Sequence, residues 1–332
     1  MDLESKTIAL PVTEQENANT AAIDQLSTLD AARLINNEDK LVAGAVEAVL
    51  PVIASVVDRI VERIRNGGRL FYVGTGTSGR LGVLDASEIP PTFGVPYEMV
   101  QGVIAGGYDA LYKATESSED DLDQGAEDLK QRNLTPNDVV IGIAASGRTP
   151  YTIGAVRYAR SIGCFTACIT CVLDSAITAE VDSAIVPIVG PEAITGSTRM
   201  KAGTAQKMVL NLISTLSMIR LGYVKGNRMT NVRSSNIKLK ERSLRILMAE
   251  TGLDERSAVG EVHVDVADLH DRPGDLRAQA HRHTFVGLDA QDDRVVAQFG
   301  DVVLGEGQVR CLLEHEGHLG HSPTEPLARA QV

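Results

Sequence analysis

The segment Arg69 to Pro91, RLFYVGTGTSGRLGVLDASEIPP, combines residue types suited to acid–base work on an anionic ligand. An apolar strand pattern, Leu70 to Val73, runs into the glycine turn Gly74-Thr75-Gly76. Thr77, Ser78 and Gly79 follow and open a helical pattern. Glycines allow positive φ and close backbone approach. Hydroxyls beside the free N–H groups of a helix N-terminus suit a phosphate. The carboxyl group of Glu88, expected just past the helix that this turn opens, is an acid–base candidate. The glycines at 74, 76 and 79 also satisfy G-x-G-x-x-G, a dinucleotide signature. That signature calls for an acid about 20 residues on, at the end of a second strand. Glu98 stands near that distance but opens the next strand pattern, so the spacing favours a sugar phosphate.

A second turn repeats the layout. The continuous apolar run Val139 to Ala145 reads as a buried parallel strand and ends in Ser146-Gly147-Arg148-Thr149-Pro150, before a helix expected over 151–162. Two such turns at the carboxyl ends of parallel strands would face one crevice. The elements that must hold them follow from periodicity. Ser27 or Thr28 caps a helix in the segment Asp24 to Asn36, and Asn36 to Asp39 is expected to break it. Apolar residues at three- and four-residue steps from Lys40 to Arg65 predict a long helix, kinked or split at Pro51. Strand patterns at 98–105, 164–172 and 184–189 alternate with helical ones, and a long helix is expected from Arg199 to about Leu221. This order predicts an α/β fold with a doubly wound, parallel, five-stranded sheet. The acidic run Glu116-Ser117-Ser118-Glu119-Asp120-Asp121 reads, on its own, as a solvated cap for a helix over 122–132.

Composition narrows the function classes. The 332 residues, 43% of them apolar, can bury a sizeable core. Asp and Glu outnumber Lys and Arg by 44 to 32, a formal charge of −12, which argues against a nucleic-acid or anionic-membrane partner. An anionic ligand must therefore be held by local donors. No apolar run reaches membrane-spanning length, and MDLESKTIALP lacks the pattern of a signal peptide. Four cysteines in this length suit a reducing compartment. Cys164, Cys168 and Cys171 have a cluster-like spacing but lie in an apolar strand, where they read as buried thiols.

TGTSGRLGVLDASEIPPTFGV, IAGG, IGIAASGRTPY and VGPEAITGSTRMKAGTAQKMVLNLIST, together with TEQENANTAAIDQLSTLDAARLINNEDK, closely resemble the N-acetylmuramic acid 6-phosphate etherases over roughly residues 8 to 256. The resemblance implies a single sugar isomerase (SIS) domain in a cytoplasmic homodimer without metal or other cofactor. It implies cleavage of the D-lactyl ether at C3 of N-acetylmuramic acid 6-phosphate. Glu88 matches the family's proton donor and Glu119 its second catalytic acid, with Glu116 as a rival for that role. Thr77, Ser78, Gly79, Ser146, Gly147 and Thr149 become substrate or phosphate contacts, and Arg148 and Lys201 become candidates to assist the phosphate. A sugar-phosphate isomerase and a non-catalytic sugar-phosphate sensor are the competing readings.

The expected organisation is an N-terminal helical segment over 1–50, the SIS domain over 51–225, a helical segment over 226–257 and an atypical tail over 258–332. All seven histidines fall between His263 and His321, and no lysine follows Lys240. The tail is expected to be solvated or disordered and foreign to the family, as from an altered reading frame. Sequencing the coding DNA checks this: a frame shift near codon 258 is expected.

Overall fold

The computed structural model describes residues 10–113 and 118–229, helical positions 241, 245 and 248, and strands Ala297–Leu304 and Gln308–His315. Two compact units divide the chain, Met1–Lys225 and Gly226–Val332. In the second, the two strands pair antiparallel, Ala297 opposite His315 and Leu304 opposite Gln308. The rest of the tail lies outside the described residues, as do His263, His281, His283, His318 and His321.

The first unit begins with short 3-10 turns between Val12 and Gln25, followed by α1 (Thr28–Glu47) and α2 (Leu50–Arg65). Ser27 caps α1, its hydroxyl accepting from Asp30 N–H at 3.2 Å. Contrary to the expected break, α1 continues through Asn36 to Asp39. Glu38 there is buried against Lys201, so a distant partner rewards continuation of the polar run. The helix expected over Lys40 to Arg65 is split just before Pro51, between Glu47 and Leu50, as the proline predicts. Pro51 sits in the first turn of α2, where its missing N–H costs nothing, and the axes bend by 57° between α1 and α2.

β1 (Leu70–Gly74), β2 (Val100–Ile104), β3 (Val139–Ile143), β4 (Phe165–Ile169) and β5 (Ser183–Ile185) form one parallel sheet in the order β2-β1-β3-β4-β5. β1, β3 and β4 are buried along their whole length, which accounts for their apolar sequences; the polar Thr166 of β4 donates to Asp182 Oδ2 at 2.9 Å. α3 (Gly76–Phe93) and α6 (Lys201–Arg220) pack together, with α1 and α2 against α6. α4 (Leu122–Lys130) and α5 (Pro150–Ser161) pair on the other face, over Phe71, Val73, Val140 and Cys168. Cys164, Cys168 and Cys171 are all buried, and burial pushes each thiol up to about 12. Among the described residues no cluster of metal-ligating side chains occurs, and no single helix is long and apolar enough to cross a membrane.

The strands are tied together at their amino ends by Asp138, which is 1% exposed at its side chain. It accepts from Arg69 Nη2 at 2.8 Å, from Arg69 N–H at 2.8 Å and from Thr135 N–H at 2.7 Å. Burial by itself would raise the Asp138 carboxyl. The Arg69 guanidinium and the Thr135 N–H outweigh it and hold the group below the usual carboxylate range. Asp138→Ala is expected to cost about 3 kcal/mol in urea unfolding, because buried N–H groups and a cation lose their partner. A depressed carboxylate stabilises the fold above its unfolded pKa, near 3.9, and that contribution fades as pH falls through the folded value. The stability gap between wild type and Asp138→Asn should therefore be full at pH 7 and shrink below about pH 4.

Candidate functional site

Adjacent parallel strands β1 and β3 pair Gly74 with Ile143, so their two carboxyl-end turns lie side by side. The sheet order reverses at this pair, since β2 lies beyond β1 on one side and β4 beyond β3 on the other. α3 and α5 start from the two turns, and no side chain caps either helix, at Thr75 or at Thr149. The first N–H groups of α3 are thus directed at the crevice, whereas α5 opens on Pro150, which has no N–H, and its Tyr151 N–H is taken by the Glu119 carbonyl. At α6 the situation differs. The buried Glu192 carboxylate accepts from Lys201 N–H and Ala202 N–H, both at 2.9 Å, and occupies that helix start.

Glu119 stands at this crevice. Gly76, first residue of α3, has φ +48, and a Cβ built on it would lie 3.1 Å from Glu119 Oε1. The carboxylate therefore lies over a helix N-terminus, where negative charge is favoured. The backbone of Glu119 is held by the neighbouring helix, its carbonyl accepting from Tyr151 N–H at 3.1 Å. Close packing of α4 on α5 brings this about. A Cβ on Gly154 would meet Leu122 O at 1.8 Å, so only a glycine permits the approach. The rival Glu116 lies outside the described residues.

The remaining predicted residues separate into groups. Ser78 is buried and its hydroxyl donates to Gln206 Oε1 of α6 at 2.9 Å, so a ligand can use only its lone pairs. Gly79 packs on the backbone of Gly74 and leaves no room for a side chain. Thr77 is half-buried and lines a cleft of ≈ 360 Å³ with Arg80, Leu81 and Leu111. Gly147 has φ +66 and lies so close to Ser175 that a Cβ would sit 2.1 Å from its hydroxyl oxygen. Ser146 accepts weakly from Arg148 N–H at 3.4 Å, and Thr149 is the uncapped start of α5.

Glu88, expected just past the helix, lies instead within α3, which continues to Phe93; it is exposed, twelve positions beyond Gly76. At 1.5 Å per residue that is roughly 18 Å along the helix. The two glutamates are therefore not brought together within one chain. One turn before Glu88, the buried Asp85 anchors α3 to α6 through Lys207 Nζ at 3.5 Å. Burial pushes the Asp85 carboxyl up, against the pull of Lys207.

Sequence reasoning missed the N-terminal segment. Residues 11–20 run along the loop that precedes α6. Thr20 Oγ1 donates to Ala193 O at 2.8 Å and Asn17 Nδ2 to Pro191 O at 3.1 Å. Asn17 and Asn19 also donate to Glu38, each at 2.8 Å. Glu14 reaches Arg148, its Oε1 3.6 Å from Nη2, and its Oε2 would lie 3.4 Å from a Cβ on Gly196. These contacts close a rim. It passes from Gly76 through Glu119 to α5, through Arg148 and Glu14 to Gly196, and back by Gly203, whose Cβ would lie 3.5 Å from Thr77. The only advance signal was the polar run TEQENANT, with no pattern to say where it would lie.

Lys201, expected to assist a phosphate, is instead 1% exposed with Nζ 2.6 Å from Glu38 Oε2. Burial would raise the Glu38 carboxyl, but hydrogen bonds from Lys201, Asn19 and Asn17 prevail and lower it. Lys201→Met strands a buried carboxylate and is expected to destabilise the chain by about 3–5 kcal/mol. Pairing it with Glu38→Gln removes both charges and should restore much of that loss, as read by chemical denaturation.

Comparison with known proteins follows the same geometry. Residues 52–160 match the glucokinase regulatory protein N-terminal SIS domain, and residues 123–216 match the SIS domain. Among solved structures, the chain is similar to a protein from Escherichia coli, with TM-score 0.45 and 18% identity over 61% of this chain and 97% of that one. It is also similar to a phosphoheptose isomerase from Francisella tularensis, with TM-score 0.41 and 16% identity over 59% and 98%. In sequence it is 58% identical to the N-acetylmuramic acid 6-phosphate etherase of Symbiobacterium thermophilum, covering 74% of this chain and 82% of that protein. It is 54% identical to that of Clostridium beijerinckii, covering 77% and 84%. An identity this high, carried across more than four-fifths of each relative, means that the chain belongs to the N-acetylmuramic acid 6-phosphate etherase family.

Proposed function

We propose that the chain cleaves the D-lactyl ether of N-acetylmuramic acid 6-phosphate, giving N-acetylglucosamine 6-phosphate and D-lactate, with Glu119 and Glu88 as its acid–base pair. The observation that carries this reading is the Glu119 carboxylate over Gly76, at the uncapped start of α3, in a chain 54–58% identical to etherases. Phosphate suits those N–H groups, with Thr77, Ser146 and Thr149 beside them. Gly79 and Gly147 serve by keeping the turns tight.

The chemistry begins from the open-chain sugar, whose C1 aldehyde acidifies the C2 proton. Glu119 takes that proton. The C3–O bond breaks as Glu88 supplies a proton to the departing lactate oxygen, leaving a C2=C3 double bond conjugated with the aldehyde. Glu88, now a carboxylate, accepts a proton from water as its oxygen bonds to C3, and Glu119 returns a proton to C2. Water is thus consumed, and both glutamates regain their starting states. An isomerase would share only the first proton transfer, so release of D-lactate discriminates the two, whereas a sensor would turn nothing over.

Because roughly 18 Å of helix separates Glu88 from Gly76, the pair is assembled between two copies of the chain. Each contributes Glu88 to the crevice of its partner in a homodimer. Glu88→Gln and Glu119→Gln should each lower kcat by several orders of magnitude in a D-lactate assay. Co-refolding the two inactive variants should restore activity, since half the sites in a mixed dimer hold both native glutamates. No recovery would locate both residues in one chain's site. Run in deuterium oxide, the reaction should place deuterium at C2 of the product, and product without it would remove the elimination step.

A further inference from the structure

The substrate of the proposed reaction carries two anionic groups, a phosphate on C6 and a carboxylate on the lactyl group at C3. The crevice answers the first with N–H groups and hydroxyls, which carry no formal charge. In a chain of net charge −12, the second needs a cation of its own at the rim. Several nearby cations are committed elsewhere. Lys201 is buried on Glu38. Lys207 Nζ donates to Asn211 and Asp85, and Arg80 Nε donates to Leu111 O.

Arg148 differs. It projects from the β3–α5 turn between Ser146 and Thr149, and its side chain is 53% exposed. Its ion pair with Glu14 spans 3.6 Å, and the Glu14 side chain is 40% exposed. A pair so solvated holds weakly, and a carboxylate presenting two oxygens to the guanidinium fork competes well with it. Glu14 is itself fixed from behind, because Asn17 and Thr20 tie its segment to the loop before α6.

Resting on the etherase reading, we propose that Arg148 is the receptor for the lactyl carboxylate and that Glu14 is the counter-carboxylate it exchanges for substrate. In the empty site Glu14 neutralises Arg148. An incoming lactyl carboxylate displaces Glu14. When the ether breaks, lactate is no longer tethered to the phosphate-anchored sugar, and Glu14 retakes the guanidinium and favours lactate release. A sugar phosphate without the lactyl group gains nothing from Arg148, so the exchange makes the site selective for the ether.

The test compares two probes that differ only in the lactyl group. Arg148→Gln should raise KM for N-acetylmuramic acid 6-phosphate about 10- to 100-fold while the inhibition constant of N-acetylglucosamine 6-phosphate moves less than about twofold. Arg148→Lys, which keeps the charge but loses the fork, should fall between. Glu14→Gln should act in the opposite sense, lowering KM and strengthening inhibition by D-lactate, and should have no effect in the Arg148→Gln background. Thermal melts of each variant report on folding. Equal loss for both probes, loss for neither, or a weaker substrate in Glu14→Gln overturns the proposal. So does a carboxylate-selective loss in Arg199→Gln that is missing from Arg148→Gln. Failure of the wild type to release D-lactate is a separate result that defeats the etherase reading. Calorimetry with the same two probes then still decides whether Arg148 distinguishes them.

Discussion

Two parallel strands that lie side by side while their helices leave toward opposite faces create the crevice on which everything else in this unit depends. β1 feeds α3 on one face and β3 feeds α5 on the other, so the two turns must part above the sheet. A parallel sheet allows this only where strand order reverses. The gap between the turns collects two helix N-termini without spending a charged side chain. Gly76 and Gly147, both at positive φ, keep the turns tight enough for the N–H groups to face the opening.

Charge is then arranged around that gap by burial. Glu192 saturates the start of α6, which leaves the start of α3 as the one beside the crevice whose N–H groups the proposed chemistry can use. The buried Lys201–Glu38 pair joins α6 to α1 and fixes the two asparagines that hold the N-terminal segment down. Glu119, by contrast, is carried on a loop and owes its place to the close packing of α4 on α5. In the proposed chemistry these parts divide the labour. Buried charge sets the shape of the rim, and half-exposed charge at the rim handles substrate.

The family relationship and the geometry supply different parts of the reading. Similarity to etherases of Symbiobacterium thermophilum and Clostridium beijerinckii names the reaction class. It says nothing about where Glu88 and Glu119 stand relative to one another. The helix between Gly76 and Glu88 supplies that, because an α-helix cannot fold back to return its fourth turn to its first. In the proposed chemistry a second copy of the chain supplies the other carboxyl group.

Local physics determined much of this protein from the sequence alone. Apolar runs announced β1, β3 and β4, because strands buried on both faces admit a polar group such as Thr166 only where it finds a hydrogen-bond partner. Glycine and hydroxyl spacing marked both turns that lie side by side at the crevice, and the acidity of Glu88 drew notice before any fold was in view. Tertiary structure alone decided what depended on partners far along the chain. Glu38 read as a helix breaker and Lys201 as a phosphate donor until each became the other's buried counter-ion across 163 residues. Glu14 lay in a run that resembled the family but carried no periodicity, yet it meets Arg148. Periodicity records which face a residue turns toward the core, whereas charge pairing records which residues the fold has made neighbours. Only the folded chain specifies the second.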